Sequence, residues 1–303
     1  MNVDNSTKAS IITLCYNQLE TATRPFLESL YAHTDKDLFE LIVVNNGSSD
    51  GTEEYLAKFQ KEHSNVRVIN NDENFGYSKG NNQGLCAAQG KYLFLLNNDL
   101  LFSPEWLENM IALLENNHEI GILSVMTNFC GEHKQLVRDA KNYTPENYLQ
   151  RFKLAGRSKQ DFIINDKIIF FCWAMRREVF EKVGFLDEKF GLAWYEDDDY
   201  TLRVLYNGYK AAIARNIFIF HNHSQTSGKL ANSASGNALM QKNKLYFEKK
   251  HEFYLALKKR VLSYEKEGVE IFNLLGRVFS IKRTPDGRHF TVILFGLKIK
   301  FRI

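Results

Sequence analysis

The stretch that decides the fold is Tyr92-Leu93-Phe94-Leu95-Leu96-Asn97-Asn98-Asp99, a dense apolar run that ends on two amides and a carboxylate. A short apolar run of this kind predicts a buried strand. In open α/β sheets, ligands bind outside the carboxyl ends of the strands. An acid placed there beside carbonyl-bearing amides is suited to hold a hard divalent cation, which could neutralise a diphosphate. Asp99 is therefore the first candidate site residue.

The residues around this stretch alternate between strand and helix patterns. Strands are predicted at residues 9–16, 39–44, 66–70 and 91–96, with a first helix at about 17–33. This alternation over about 100 residues is typical of a doubly wound sheet. Beyond it we predict helices at 104–116, 177–183 and 200–207 and strands at 120–125, 168–175 and 211–220. Residues 128–165 form a long polar connection with one helical piece near 145–154, and such connections are usually functional.

Composition narrows the class of protein. The 303 residues are 44% apolar and 25% charged, which is ordinary for a globular protein, and the net charge of +3 is too small to indicate nucleic acid. The four cysteines are scattered at Cys15, Cys86, Cys130 and Cys172 without a C-x-x-C pair. The sequence therefore predicts neither a zinc knuckle nor a disulfide framework, and it fits a reducing cytoplasm.

The end of the chain differs from the rest. We divide the sequence into an α/β domain over residues 1–235, a lysine-rich helical extension over 236–270 and a small β-appendage over 271–303. The appendage has strand patterns on both sides of the turn signal Thr284-Pro285-Asp286-Gly287. It holds seven basic residues and one acid, a net charge of +6. Two interpretations stay open: contact with an anionic membrane surface, or packing on the α/β domain or another subunit.

Two polar loops follow predicted strands. Asn45-Asn46-Gly47-Ser48-Ser49-Asp50 offers amide and carboxylate oxygens to a base or ribose, although the same residue types also form plain turns. In Asn74-Phe75-Gly76-Tyr77-Ser78-Lys79-Gly80-Asn81-Asn82-Gln83-Gly84 a glycine recurs every four residues. These glycines let the backbone approach either a ligand or a packed neighbour. The spacing matches neither the dinucleotide fingerprint nor the P-loop.

Two further clusters carry chemistry-bearing side chains. Trp194-Tyr195-Glu196-Asp197-Asp198-Asp199 places four acids in a row, where repulsion raises at least one pKa unless a cation lies nearby. The alternative is an ordinary helix start, because acids favour the N-terminal end of the helix dipole. His221 and His223 follow an apolar strand and would share a face at i and i+2. One of them is a candidate metal ligand or acid–base group.

Taken in order, these motifs resemble those of the family 2 glycosyltransferases, which have the GT-A fold. The resemblance covers about residues 9–227 and is closest to bacterial rhamnosyl- and galactofuranosyltransferase-like enzymes of surface polysaccharide assembly. The motifs are Thr13-Leu-Cys-Tyr-Asn17, Asn45-Asn-Gly-Ser-Ser-Asp-Gly-Thr52, Asn74-Phe-Gly76 with Gly80-Asn-Asn82, Asn97-Asn-Asp99, Val183-Gly-Phe-Leu-Asp-Glu188, Glu196-Asp-Asp-Asp199 and His221. The resemblance implies a Rossmann-like mixed sheet with helices on both faces, followed by the helical segment and the β-appendage.

The resemblance also implies roles for individual residues. Asp99 and His221 match metal ligands, and Asp197 matches the catalytic base. The acceptor would be bound by Glu196, Asp199 and Trp173, and the nucleotide sugar by Thr13, Tyr16, Asn17, Asn45, Asp50, Asn74, Gly76, Lys79, Asn82, Asn97 and Asn98. The implied cofactor is a divalent cation, Mn or Mg. The chain departs from the family pattern where Asn97 replaces the first acid of D-x-D and Asn45 replaces a base-reading Asp.

The function implied by the resemblance is an inverting sugar transfer from a UDP- or dTDP-linked donor to a hydroxyl of a glycan or lipid-linked acceptor. Residues 128–165 and Phe171-Cys172-Trp173 would read the acceptor. The protein would be cytoplasmic, with a peripheral membrane contact through 271–303, no nucleic-acid partner, and self-association left open. A nucleotidyltransferase is one alternative, but it needs a Gly-rich basic loop where this chain has Leu14–Gln18. A non-catalytic sugar-binding relative is the other, and it gains nothing from crowded acids.

Overall fold

The structure is a computed structural model that describes residues 9–155, 158–222 and 233–256, and the strands 269–274, 279–283, 289–294 and 297–302. The chain divides into two compact units, Met1–Met240 and Gln241–Ile303. The three-part division predicted from the sequence, with bounds at 235 and 270, stays a prediction. Within the described residues, no helix is both long and apolar enough to cross a membrane.

The first half of unit one is a parallel α/β arrangement, as predicted. Its strands are β1 (Ala9–Cys15), β2 (Phe39–Asn46), β3 (Val66–Asn71) and β4 (Tyr92–Asn97), in the order β3-β2-β1-β4. A π-helical turn (Leu19–Thr23) leads into α1 (Arg24–His33), and α2 (Thr52–Glu62) and α3 (Gly76–Ala87) make the other crossovers. The register aligns Cys15 with Asn45 and Leu14 with Asn97. The polar strand ends therefore meet at one edge of the sheet.

The second half of unit one makes the sheet mixed. Its strands are β5 (Leu100–Phe102), β6 (Ile120–Met126), β7 (Phe162–Ile164), β8 (Cys172–Arg176) and β9 (Lys210–His221). Its helices are α4 (Trp106–Asn116), α5 (Tyr148–Ala155), α6 (Arg177–Val183) and α7 (Glu196–Tyr206). The order continues β4-β8-β6-β9-β5, with β7 on β9, so nine strands form the sheet within the described residues. Strand β8 runs antiparallel to both β4 and β6.

A hydrophobic layer covers each face of this sheet. On one side, α1 and α4 contribute the buried side chains Phe26 and Trp106. On the other side, Tyr200 of α7 packs near Trp173 of β8. Burying a side chain of this size contributes about 2–3 kcal/mol. Helix α3 lies very close to β1. A Cβ at Gly80 would collide with Leu14, and a Cβ at Gly84 would collide with Ile12. These two glycines therefore serve packing, which was the alternative considered for their spacing.

Several predicted bounds were wrong for identifiable reasons. Helix α7 begins at Glu196 rather than at residue 200, because the acids themselves form its first turn. Strand β8 begins at Cys172 rather than at 168. Asn17 is not helical, since it and Gln18 have left-handed φ angles of 54° and 61°. Strands β5 and β7 were missed because three residues carry too little periodicity to detect.

The C-terminal part contains helical residues and a small sheet among its described residues. Helix α8 (Ala234–Lys250) includes the boundary between the two units, and residues 252–256 are helical as well. Strands β10 (Val269–Leu274), β11 (Phe279–Arg283), β12 (His289–Leu294) and β13 (Leu297–Arg302) pair in chain order as an antiparallel meander. The predicted turn at 284–287 lies outside the described residues.

Candidate functional site

Asp99 and His221 form a pair at the carboxyl edge of the sheet. Asp99 follows β4 and precedes β5, and β5 runs antiparallel to β9 with Leu100 opposite His221. The backbone N–H of Asn222 donates to the Asp99 carbonyl at 2.8 Å, which holds the two chain segments together. Asp99 Oδ1 consequently lies 3.1 Å from His221 Nε2.

The surroundings of His221 fix the orientation of its ring. His221 Nδ1 lies 2.9 Å from the backbone carbonyl of Phe129. Because a carbonyl can only accept, Nδ1 must donate in this bond, and Nε2 is left to face Asp99. The ring also stacks on Phe171, with a centroid distance of 5.4 Å. Burial opposes protonation of this histidine, but Asp99 and the Phe129 carbonyl outweigh it and raise the pKa of His221.

This pair fits a divalent cation as part of its coordination shell. A carboxylate oxygen and an imidazole nitrogen lie side by side, and metal-ligating histidines usually donate their second ring N–H to a carbonyl or carboxylate. Within the described residues, no group of three or more His, Cys, Asp and Glu side chains assembles a complete metal site. A cation here would therefore need further ligands from a bound molecule. His223, the other candidate, lies outside the described residues.

The acids at the start of α7 form a second centre. Trp194 and Tyr195 precede them with left-handed φ angles of 71° and 73°, which non-glycine residues adopt at a cost. Burial raises the pKa of Glu196, and the neighbouring charge of Asp197 raises it further. Burial likewise raises the pKa of Asp197, with repulsion from Asp198 adding to it. Two adjacent carboxyl groups are thus made more basic than usual.

Two of the predicted acceptor-binding residues are inaccessible. Asp199 is fully buried, and its carboxylate accepts from Arg203 Nε at 2.9 Å. Trp173 is also fully buried and stacks on Phe170 at a centroid distance of 4.0 Å. Neither side chain offers exposed surface here, and the acceptor-binding roles of these two residues stay predictions.

A short chain of contacts that was not predicted from the sequence runs from Tyr77 to His221. Tyr77 Oη donates to the Phe170 carbonyl at 3.3 Å and accepts from Trp173 Nε1 at 3.3 Å. The charges of Glu196 and Asp197 act on Tyr77, and their influence helps to raise its pKa. Phe171, which follows Phe170, stacks its ring on His221. Its backbone carbonyl accepts from the Asn97 backbone N–H at 2.8 Å. Tyr77 lies inside the glycine-rich stretch 74–84, and its place there was the one sign in the sequence that it could belong to the site.

The predicted nucleoside loops are tied to one another. Asn17 Oδ1 accepts from the Ser49 N–H at 2.8 Å, and Asp50 Oδ2 accepts from the Leu19 N–H at 2.9 Å. Asp50 also accepts from the Thr52 hydroxyl at 2.6 Å, which closes the turn before α2. The loops after β1 and β2 are therefore braced as one surface. Tyr16 is 40% exposed beside them, while Thr13 is fully buried.

Amide side chains brace the floor beneath these loops. Asn45 is buried, donating to Asn70 Oδ1 at 3.0 Å and accepting from the Ser48 N–H at 3.2 Å. Asn74 Oδ1 accepts from Asn46 Nδ2 at 3.0 Å and from the Gly76 N–H at 2.9 Å. These amides shape the loops, and their hydrogen-bonding groups already have protein partners.

Four other predicted donor-site residues differ in accessibility. Asn97, the last residue of β4, and Asn98 are half-buried, and Asn98 Nδ2 donates to Thr23 Oγ1 at 3.0 Å. Lys79 is also half-buried, with its ammonium 3.4 Å from the centre of the Phe75 ring. Asn82 is buried and grips the backbone of Leu186 by two hydrogen bonds of 3.0 Å. Asn82 is thus a brace between α3 and the chain that leads to the acids.

Gly76 marks a direct backbone contact between the two halves of the site. A Cβ at Gly76 would collide with the carbonyl of Gly191, and the Tyr77 N–H donates to the Leu192 carbonyl at 3.2 Å. The start of α3 therefore touches the segment that leads into the acids at 196–199. The φ of Gly76 is +80°, which also favours glycine at this position.

Solved structures define the class of protein to which this fold belongs. The chain superposes on the mannosyltransferase PcManGT of Pyrobaculum calidifontis, in complex with GDP-Man and Mn2+, with a TM-score of 0.56 and 16% identity over 74% of this chain and 59% of the other. It also superposes on GalNAc-T7 with UDP, GalNAc and Mn2+, with a TM-score of 0.59 and 14% identity over 99% and 67% of the two chains. The mixed sheet and its flanking helices are the GT-A fold of glycosyltransferases, as predicted.

Sequence comparison identifies the family. Residues 10–184, more than half of the chain, match Glycosyl transferase family 2, and the chain belongs to that family. An uncharacterised glycosyltransferase of Methanocaldococcus jannaschii is 26% identical over 78% of this chain and 76% of its own length. A Bacillus subtilis glycosyltransferase named for teichuronic acid biosynthesis is 29% identical over 35% of this chain and 41% of its own. The chain therefore spans less than half of the latter protein.

Proposed function

We propose that this protein is an inverting, metal-dependent glycosyltransferase that moves a sugar from a nucleoside-diphosphate sugar to a hydroxyl of an acceptor. The observation that carries the proposal is the pairing of Asp99 with His221 at the carboxyl edge of the sheet, with the acids Glu196 and Asp197 in the first turn of α7 as a second centre. The family match ends at residue 184, so the roles of the later residues rest on this arrangement.

The first centre is assigned to the donor. Asp99 and His221 would hold a divalent cation together with the donor diphosphate, whose oxygens complete the ligand set. When bound there, the cation supplies positive charge that stabilises the departing diphosphate. The half-buried Asn97 and Lys79 would contact the nucleotide sugar, and the exposed ring of Tyr16 would face the nucleoside. The braced loops at Asn17 and Asp50 keep this surface in one shape.

The second centre is assigned to the acceptor. Asp197 would take the proton of the acceptor hydroxyl while that oxygen attacks the anomeric carbon. The new carbon–oxygen bond forms on the face opposite the breaking bond to the diphosphate, so the anomeric configuration inverts. A carboxylate with a raised pKa is a better general base near neutral pH than an ordinary one. Glu196, which also has a raised pKa, would bind the acceptor beside it.

The relatives support finer features of the proposal. The solved mannosyltransferase binds GDP-Man with Mn2+, and a TarS structure of Staphylococcus aureus holds UDP, which favours a nucleotide-sugar donor here. We propose a UDP- or dTDP-linked donor. The B. subtilis relative named for teichuronic acid biosynthesis favours a glycan or lipid-linked acceptor of a surface polysaccharide. The rhamnosyl- or galactofuranosyltransferase-like subgroup remains our prediction from the motifs.

The proposal is tested first by finding the donor. UDP-, dTDP- and GDP-linked sugars are screened for thermal stabilisation with Mn2+ and with EDTA, and hits are assayed for transfer or donor hydrolysis. We expect stabilisation and turnover that EDTA removes and that Mn2+ or Mg2+ restores. NMR of the product is expected to show the opposite anomeric configuration to the donor. Turnover unaffected by chelator would remove the metal role, and a retained configuration would remove the inverting mechanism.

We also propose a peripheral contact of the β-appendage with the inner face of the cell membrane. The register pairs Lys282 with Thr291 and Thr291 with Lys300, and it pairs Ile293 with Lys298, so basic positions recur on one face. Each basic residue near an anionic leaflet contributes about 1 kcal/mol. The full chain should sediment with vesicles containing anionic lipid, and the triple change K282E/K298E/K300E should remove that binding. Equal sedimentation of both chains would contradict the contact.

A further inference from the structure

We infer that Asn128 is a positioning residue for His221, through which the segment after β6 holds the histidine in place. This inference rests on the proposed function, because it takes His221 as a cation ligand. It starts from two hydrogen bonds. Asn128 Oδ1 accepts from the backbone N–H of His221 at 2.7 Å, and Asn128 Nδ2 donates to the backbone carbonyl of His221 at 3.1 Å.

These two bonds replace strand pairing where the sheet stops. The parallel pairing of β6 with β9 ends at Met126 opposite Phe218, after an irregularity in the register. His221 is the last residue of β9, and β5 pairs with it from the other side. The amide of Asn128 satisfies the N–H and the carbonyl of His221 as a neighbouring strand would. Each such bond contributes about 1 kcal/mol net, and an unsatisfied partly buried group costs more.

The residue after Asn128 completes the grip on the histidine. The Phe129 carbonyl accepts from His221 Nδ1 at 2.9 Å, so two consecutive residues fix both the backbone and the ring of one side chain. Together they determine where Nε2 stands relative to Asp99. Groups that orient a metal-ligating histidine in this way typically change metal affinity by about 10- to 100-fold when they are removed.

The same residues belong to the segment predicted to read the acceptor. Thr127, which precedes Asn128, donates its N–H to the Gln135 carbonyl at 2.7 Å and accepts from the Val137 N–H at 2.9 Å. Gln135 is fully buried, and its side chain bonds Ser124 and the Ile169 backbone. Residues 127–137 are thus a braced loop, and Asn128 links it to His221. The acceptor side of the site and the cation ligand consequently share one support.

The test measures cation binding directly, with Asn128→Ala as the variant. Free Mn2+ is followed by electron paramagnetic resonance while Mn2+ is titrated into the full chain with saturating UDP, or GDP if only GDP stabilises the protein. We expect an apparent dissociation constant about 10-fold higher than that of the wild type.

A matched control variant lies in the same segment. The Asn147 amide also bridges two backbone groups, accepting from the Thr144 N–H and donating to the Asn142 carbonyl, and neither bond involves His221. Asn147→Ala should bind Mn2+ as the wild type does. If Asn128→Ala does not fold, Asn128→Ser is used, since its shorter side chain cannot span both groups.

Each outcome decides between the inference and its failure. Weakened Mn2+ binding in Asn128→Ala alone supports the inference. Unchanged binding in a folded Asn128 variant overturns it while leaving the proposed function intact. Equal weakening in Asn147→Ala also overturns it, because the cause would then be general loosening of the segment. Failure of the wild type to bind Mn2+ with either nucleotide would overturn the metal role in the proposed function and this inference with it.

Discussion

The two carboxylate centres of the site differ in what surrounds them. Asp99 lies 3.1 Å from the Nε2 of His221, and this partner is held closer to its charged form because its pKa is raised. Glu196 and Asp197 are half-buried beside other acids, and their own pKa values are raised instead. Under the proposed function, the first centre would accommodate positive charge and the second would accept a proton. One sheet would then serve a departing anion and an attacking hydroxyl separately.

The sharpest test of this difference is Asp197→Asn. The amide keeps the size and polarity of the side chain but cannot take a proton. We expect kcat to fall about 10³-fold, which is the usual contribution of a general base. The Mn2+ requirement should stay unchanged, since that belongs to the other centre. The measurement is turnover with saturating donor and acceptor, and near-wild-type turnover would show that the base is a different residue.

A second test uses Asp199, the acid of the run 196–199 whose charge is balanced by an arginine. Asp199 is fully buried and bonded to Arg203, whose guanidinium also donates to the Val183 carbonyl at 3.1 Å. Arg203→Leu should lower the free energy of unfolding by about 3 kcal/mol, because it leaves a buried carboxylate uncompensated. Chemical denaturation gives this value. Lys244→Leu, which removes an exposed i, i+4 partner of Glu248, is the control, and it should cost well under about 1 kcal/mol.

Asp99→Ala examines the first centre. Removing the carboxylate should lower donor-dependent turnover about 10²-fold, since charge stabilisation by a bound cation is worth several kcal/mol. Part of the loss should be recovered at high Mn2+, in contrast to Asp197→Asn, where added cation should change nothing. The comparison is a Mn2+ titration of kcat in both variants. If kcat responds to Mn2+ identically in both variants, the cation does not belong to the Asp99 centre alone.

The smallest expected effect is a shift in the pH profile. Asp197 must be deprotonated to act as a base, and its raised pKa moves the acid-side loss of activity to higher pH than for an ordinary carboxylate. Asp198→Asn removes one of the charges that raise that pKa, so the acid limb of kcat should move to lower pH by about half a unit. Glu62→Gln, on the exposed end of α2, should leave the profile where it is.

The first half of the fold was predictable because β1, β2 and β4 are mostly apolar runs and strand patterns alternate regularly with helix patterns. Strands β1 to β4 and the helices between them follow directly from that pattern. The second half was less predictable. Strands β5 and β7 are only three residues long, and their pairing with β9 depends on contacts remote in sequence. No local sequence pattern predicts the pairing of such short strands with a distant one.

The site shows the same limit. Residue types at strand ends made Asp99 and His221 candidates, and a run of four acids did the same for the start of α7. Their roles stay predictions. Burial could not be read from the same signal, and it makes Asp199 and Trp173 internal supports. The braces Tyr77 and Asn128 were missed because their partners are 93 or more residues away. A side chain that acts through a distant backbone leaves little trace in the local sequence.

The contact of Gly76 with Gly191 has a mechanical consequence. Backbone touches backbone there, with no side chain between to deform, so the two segments cannot slide past each other independently. A displacement of the loop at the start of α3 on donor binding would be passed to residues 191–195 and from them to the first turn of α7. The two parts of the proposed site would then move together.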